Sequence, residues 1–371
     1  MKTFVKQQRK QSYRSFLTFG TLLAFILLFS ACGSSAASNQ PAMPDSSTAL
    51  KLSPISQSLQ AQGQMQLQTF QQWISLMQQY QGNVTTYQQQ YNADQQALAN
   101  AQTPAAYQAA LATLQKQVAQ IQIPAMKAEA QGLLQQLTQQ VSAWDKTHTY
   151  YDSYNNTTYP LGYAYDSNGI EGWAQDDITS SQTIADYQQT IENLNMWIDD
   201  FKAFAQDSSD KTPYNQPHAT DLQLMKLDNA MTGKVVVVAL AEQAMRVYDN
   251  GKLVKAFYVT TGQPDLPSIP GNWWVEGKQS PTVFKSPDPP GSPHWYPDTP
   301  INYAMQYHSE GYFIHDSWWR ADYGPGTNFP HPDPTGDIYS QDGSHGCVNM
   351  AKADAAWLYS FVKLYTPIII Y

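Results

Sequence analysis

Between Leu67 and Phe201 the apolar residues recur at helical spacing. Leu67, Phe70, Ile74, Met77, Val84 and Tyr91 stand three, four or seven apart, with Gln81 and Gln88 in the intervening slots. After Thr103-Pro104, a good N-cap and first-turn pair, Tyr107, Leu111, Leu114, Val118 and Ile121 repeat the pattern. Pro124 interrupts it, Leu134, Leu137, Val141 and Trp144 resume it, and Ile184, Tyr187, Ile191, Leu194, Ile198 and Phe201 form a further run. This periodicity predicts amphipathic helices with a heptad-like seam. Residues 57–208 are therefore expected as an antiparallel helical bundle, with the Tyr-rich stretch Tyr150–Trp173 as a long connection. Residues 209–233, which carry Pro213 and Pro217, read as a linker.

The period then changes to two. Lys234–Leu240 and Ala244–Tyr248 are expected strands, Asp249-Asn250-Gly251 a hairpin turn, and Leu253–Thr260 the returning strand. Further strands are expected at Asn272–Glu276, Thr282–Lys285, Tyr303–Tyr307, Tyr312–His315 and Pro367–Tyr371, with a helix over Ala351–Leu364. The predicted fold is α+β in two domains: an N-terminal Gln-rich α-helical bundle, and a mostly-β C-terminal domain over 234–371 with one late helix.

Composition changes the picture at two places. Of the 84 residues from Gln57 to Gln140, 27 are Gln and only Asp94, Lys116, Lys127 and Glu129 are charged. Such a tract suits low-complexity disorder; its apolar periodicity decides for helices. The bundle reads as a spacer or as a wall- or partner-binding module. Tyr150, Tyr151 and Tyr154 suit either sugar stacking or a helix core. At the N-terminus, Lys2, Lys6, Arg9, Lys10 and Arg14 lead into the apolar run Phe16–Phe29, which ends in Ser30-Ala31-Cys32-Gly33. A charged region, a short apolar region and small residues make residues 1–31 a secretory signal. The run is shorter than the ~20 apolar residues of a spanning helix, and its end resembles a bacterial lipobox. The expected product is lipidated at Cys32, tethered by residues 32–56 to the outer face of the cytoplasmic membrane, and faces the cell wall.

The formal charge is −9, from 21 basic and 30 acidic side chains. Five of the basic groups lie in the leader, so the body is more acidic still and has no basic stripe, which argues against nucleic acid as a partner. Cys32 and Cys347 are the two cysteines. With Cys32 lipidated, Cys347 has no intramolecular partner and is either buried and inert or kept for chemistry.

Five of the seven histidines fall between His294 and His345, and Cys347 lies in Ser344-His345-Gly346-Cys347-Val348-Asn349. A thiol near neutral pH needs a base. His345 is two residues away and can point elsewhere; His315 closes the apolar strand Tyr312-Phe313-Ile314, which can aim its ring across a site. Gly346 lets backbone amides approach a developing oxyanion. These residues suggest a Cys/His acyl-transfer site. No close-spaced pair among His308, His315, His331, His345 and Cys347 matches the usual zinc patterns, so no metal is expected. Tyr303, Trp318 and Trp319 are candidates for either pocket or core.

Residues 234–371 resemble the L,D-transpeptidase catalytic domain of the YkuD type. The resemblance runs through Val235-Val236-Val237-Val238, the Arg246–Lys252 hairpin, Thr261-Gly262, Pro270-Gly271, Phe313-Ile314-His315 and Ser344–Asn349. It implies Cys347 as nucleophile, His315 as general base and Asp316 as the orienting group through backbone or side chain. It also implies that Ser344, His345, Gly346 and Asn349 shape the pocket, with amides near Gly346 and Cys347 as the oxyanion hole. No cofactor is implied. The implied substrate is a peptidoglycan stem peptide, joined to a second stem in a 3→3 cross-link, hydrolysed, or used to anchor a protein to the wall. A non-catalytic lipid-anchored wall-binding protein is the contrasting reading. A papain-like site is disfavoured because His315 precedes the cysteine. His315 and Cys347 stand 32 residues apart, about twice the separation in compact members of that family. Asp316–Gly343 is therefore expected as a lid. His331, at the shorter spacing, is the rival base.

Overall fold

The computed structural model describes residues 54–371; the expected leader, Cys32 and most of the tether lie outside the described residues. The described residues open with α1 (Gln57–Gln79), α2 (Thr85–Asn100) and α3 (Pro104–Asp145). As its sequence predicts, Thr103 caps α3, its Oγ1 accepting from the Ala106 N–H at 3.1 Å with Pro104 in the first turn. Pro124 does not interrupt α3, contrary to expectation: the helix runs 42 residues straight through it. Tertiary packing outweighs the proline here, because Ile121, Ala125 and Met126 on either side of it are all buried.

α3 serves two cores. Tyr107 to Ala125 pack with Phe70, Ile74 and Met77 of α1. Met126 to Val141 join a second cluster that includes Leu194, Trp197 and Phe204 of the helical region and Val235–Val238 of the sheet. The helical region and the mostly-β region are thus distinct in secondary structure but continuous in their apolar interior.

Two expected connections are built elements. The Tyr-rich stretch forms the hairpin β1 (Thr149–Asp152) and β2 (Thr157–Pro160), a 3-10 turn at Tyr163–Tyr165, and the start of α4 (Ile170–Ser180). After α5 (Ile184–Asp207), the expected linker holds α6 (Ala219–Leu227). Asp221 of α6 is fully buried, accepting from the Arg246 guanidinium and the Tyr248 and Tyr371 hydroxyls. A buried arginine needs this kind of full pairing, and Asp221 supplies it from a helix 25 residues earlier in the chain.

The remaining elements are β3 (Lys234–Ala239), β4 (Ala244–Asp249), β5 (Lys252–Tyr258), β6 (Gly271–Trp274), β7 (Gly277–Gln279), β8 (Thr282–Phe284), β9 (Thr299–Ile301), β10 (Ala304–His308), β11 (Tyr312–Asp316), β12 (Val348–Met350), α7 (Lys352–Phe361) and β13 (Pro367–Ile370). A five-stranded sheet runs β5-β4-β3-β13-β6, and its central β3 is buried from Val235 through Ala239, as an unbroken apolar run requires. The β4–β5 turn has Asn250 and Gly251 both at positive φ (+50° and +73°), the backbone that makes Asn-Gly a hairpin signal. A second sheet runs β12-β11-β10-β7, with β11 and β12 parallel. β11 carries His315 and Asp316, and Cys347 immediately precedes β12.

Candidate active site

The parallel pairing aligns Ile314 with Val348, His315 with Asn349 and Asp316 with Met350. Residues paired in register share a face, so Asn349 falls on the same side as His315, and Cys347 stands in the turn just before β12. The register therefore brings His315 beside Asn349, two residues after the cysteine, across a 32-residue separation in sequence. His315 is buried. Its Nδ1 lies 2.9 Å from the Asp316 carbonyl and its Nε2 lies 3.1 Å from Asn349 Nδ2. A carbonyl only accepts, so Nδ1 carries the proton and Nε2 presents its lone pair to the Asn349 amide.

Asp316 orients the ring with its backbone. Its buried carboxylate faces elsewhere: Oδ1 accepts from the N–H groups of Asn302 (2.9 Å) and Tyr303 (2.7 Å), and Oδ2 from Asn302 Nδ2 (2.7 Å). Burial lowers the His315 pKa to about 4, although the Asp316 carbonyl and charge pull the other way. At neutral pH the ring is an uncharged base.

Cys347 is half-buried and free. Burial pushes its thiol up to about 11, partly opposed by a hydrogen bond from the Phe313 backbone. The thiol is turned toward Gly311 O at 3.8 Å, while Asn349 meets the imidazole. The ground state is thus thiol and neutral imidazole.

The turn before β12 is held from several sides. Ser344 Oγ donates to Cys347 O (2.5 Å) and accepts from Gly346 N (3.2 Å). Ser268 Oγ donates to Gly346 O (2.8 Å) and accepts from Gly262 N (3.0 Å). The Tyr307 hydroxyl donates to the same Gly346 O (3.3 Å). Gly346 has φ +102°, and a Cβ there would stand 2.7 Å from Tyr312 Cε1, so both backbone and space require glycine. The Gly346 N–H, expected in the oxyanion hole, is directed to Ser344 Oγ.

The His345 ring lies 5.9 Å from His294 and 5.5 Å from Tyr296; desolvation by the surrounding groups and then His294 lower its pKa. Tyr303 gives its backbone N–H to Asp316, but its ring packs on Tyr359 of α7 at 5.5 Å. Trp319 lies 6.1 Å from the His315 ring, and Trp318 is exposed with its indole N–H on Pro300 O. His331 turns Nδ1 to Phe329 O at 2.7 Å. His308 packs between Trp173 and Trp273. The sequence reasoning missed Phe284, edge-on to His315 at 5.0 Å, as well as Ser268, Tyr307 and Tyr312. They come from separate strands and loops, and no local pattern marks them.

The long loop expected as a lid is a folded unit. Buried Arg320 donates to the carbonyls of Ser340 (3.0 Å) and Tyr339 (3.2 Å). Desolvation raises the Asp333 carboxyl, yet hydrogen bonds from Thr335, Asp322 and Ala321 hold it at about 2. Phe329 stacks on Tyr150 of β1 at 4.5 Å, with Tyr159 and Tyr163 also against it. Tyr150 thus packs on the loop, while Tyr151 and Tyr154 stay exposed.

Residues 233–370 match the L,D-transpeptidase catalytic domain family, YkuD. L,D-transpeptidase 2 of Mycobacterium tuberculosis (strain CDC 1551 / Oshkosh) is 26% identical over 145 residues, covering 37% of this chain and 32% of that protein. Probable L,D-transpeptidase 3 of Mycobacterium tuberculosis (strain ATCC 25618 / H37Rv) is 25% identical over 112 residues, covering 29% and 36%. The chain spans about a third of the length of these curated relatives. Among solved structures, a mutant Enterococcus faecium L,D-transpeptidase is 28% identical, covers 38% of this chain and 50% of its own, and has a TM-score of 0.31.

Proposed function

We propose that this protein is a peptidoglycan L,D-transpeptidase that works through a Cys347 acyl-enzyme, exported and held at the membrane by lipid on Cys32. The observation that supports the reading is the β11–β12 register, which aligns buried His315, protonated on Nδ1, with Asn349, two residues after the half-buried Cys347. The match of residues 233–370 to the transpeptidase family supplies the substrate class.

The stem peptide is attacked at the carbonyl between its diamino acid and terminal D-Ala. With burial pushing the thiol up to about 11 and the imidazole down to about 4, a resting ion pair is strongly disfavoured. Proton transfer therefore accompanies attack. Cys347 Sγ turns from Gly311 O to the carbonyl carbon, Asn349 yields Nε2, and Nε2 takes the thiol proton. The Cys347 backbone N–H meets the oxyanion, since the Gly346 N–H is directed to Ser344 Oγ. Collapse breaks the amide bond, His315 returns the proton to the leaving D-Ala nitrogen, and a thioester remains. An amine from a neighbouring stem attacks the thioester, giving a 3→3 cross-link and free thiol.

The test is disaccharide-tetrapeptide incubated with the chain from residue 33 onward, followed by intact-protein and product mass spectrometry. Wild type is expected to show the adduct and D-Ala release, and folded Cys347→Ala neither. Dimeric product marks transpeptidation; tripeptide marks hydrolysis of the same thioester and would replace this reading with an L,D-carboxypeptidase. Turnover retained in Cys347→Ala would overturn the acyl-enzyme.

A further inference from the structure

The segment matching the catalytic-domain family begins at residue 233, yet one hydroxyl from the helical region lies inside the scaffold of the cysteine turn. Tyr163, in the 3-10 turn after the β1–β2 hairpin, is buried. Its hydroxyl donates to Gly262 O at 2.7 Å and accepts from Asn328 Nδ2 at 2.8 Å. One oxygen thereby ties the helical region to a segment beneath the site and to the long loop.

Both partners connect to the turn before Cys347 through intermediate residues. The segment around Gly262 forms a short ladder with Ser344: Ser344 N donates to Thr261 O, and Gln263 N donates to Ser344 O, each at 2.9 Å. Gly262 N donates to Ser268 Oγ, which in turn donates to Gly346 O. Gly262 also has no room for a side chain, since a Cβ on it would stand 2.2 Å from Leu266 O. On the loop side, a Cβ on Gly343 would stand 2.6 Å from Gln263 N and 2.8 Å from Asn328 O. Tyr163 therefore braces the place where the loop, the 261–263 segment and the start of the cysteine turn meet.

We propose that Tyr163 is a positioning residue for Cys347, supplied by the helical region, so that this region is a working part of the active site as well as a spacer. This rests on the acyl-enzyme reading above for its kinetic consequence, but not for its structural one. Removing the hydroxyl leaves the buried Gly262 O and Asn328 Nδ2 without this partner, and such groups relax toward whatever else can satisfy them. The turn then samples wrong Cys347 orientations. Small misplacements of a nucleophile lower the rate of the chemical step more than they lower binding.

The experiment compares wild type, Tyr163→Phe and Tyr159→Phe, using the full chain in detergent. Tyr159→Phe is the matched control: its hydroxyl, from the adjoining strand β2, accepts from Asn155 Nδ2 within the hairpin. Hydrogen exchange is read in peptides covering 260–269 and 343–349, with peptides in 57–120 as reference. Tyr163→Phe is expected to exchange at least tenfold faster in those two segments and unchanged in the reference, with Tyr159→Phe like wild type. On tetrapeptide stems, kcat is expected to fall at least tenfold with KM within twofold. Unaltered exchange in 260–269 and 343–349 overturns the proposal whatever the activity. So does a rate loss mirrored by a general rise in exchange, which marks a merely structural role. If wild type fails to acylate, the acyl-enzyme reading fails, and the exchange result still decides the brace.

Discussion

The depressed pKa of His315 makes a stability prediction that needs no substrate. The ring titrates near 4 in the folded chain because burial disfavours its charged form; in the unfolded chain it titrates near its ordinary 6.5. Between those values the unfolded chain holds a proton on this ring that the folded chain lacks. Stability from this group is therefore complete above about pH 6.5 and is lost as pH falls toward 4. From pH 7.5 to 4.5 the loss is about 2.5 kcal/mol by linkage. Other groups act with the opposite sign: burial raises Asp228 and Asp342 to about 6, so the folded chain takes up those protons first and gains stability as pH falls. A single melting curve mixes these effects. His315→Gln keeps a polar side chain that does not titrate, so subtracting its pH dependence from that of wild type cancels the carboxylates. Urea unfolding followed by tryptophan fluorescence at the two pH values is the assay. Wild type should lose about 2.5 kcal/mol more than the variant. Equal losses in the two proteins would refute the buried, neutral imidazole.

Three further outcomes follow from the same geometry. Cys347 acylation by stem peptide should be flat from about pH 5 to about pH 10, since neutral thiol and neutral imidazole coexist over that range; a bell centred near pH 6, with thiolate absorbance at neutral pH, would contradict it. Gly346→Ala should cost about 1–3 kcal/mol in chemical unfolding and abolish acylation, because the new Cβ meets Tyr312 at 2.7 Å and inherits φ +102°. Phe329→Ala, which removes the stacking on Tyr150, should make residues 317–342 readily cleaved in limited proteolysis, against a resistant wild type.

Much of the architecture is legible where the causes are local. Three-four spacing marks the helices, Thr103-Pro104 marks the start of α3, and Asn250-Gly251 marks the β4–β5 turn, because caps and turns depend on a few adjacent residues. The Ser344–Asn349 run together with His315 points to a cysteine–histidine site for the same reason: the residue types carry the chemistry.

What the sequence determines by itself is therefore which segments form helices and strands and which side chains can react. Tertiary structure decides which of them meet. β12 is three residues long and has no period to read, yet its parallel pairing with β11 is what aligns His315 with Asn349. The expected linker gives no apolar signal strong enough to predict α6, which is held by Asp221 pairing with Arg246 and Tyr371. Only the fold shows that Asp316 orients His315 through its carbonyl while its carboxylate holds Asn302 and Tyr303. Likewise, only the fold places the Tyr163 hydroxyl beneath the cysteine turn. Each of these depends on pairing and burial between segments far apart in the chain, and neither is encoded in the spacing of neighbouring residues.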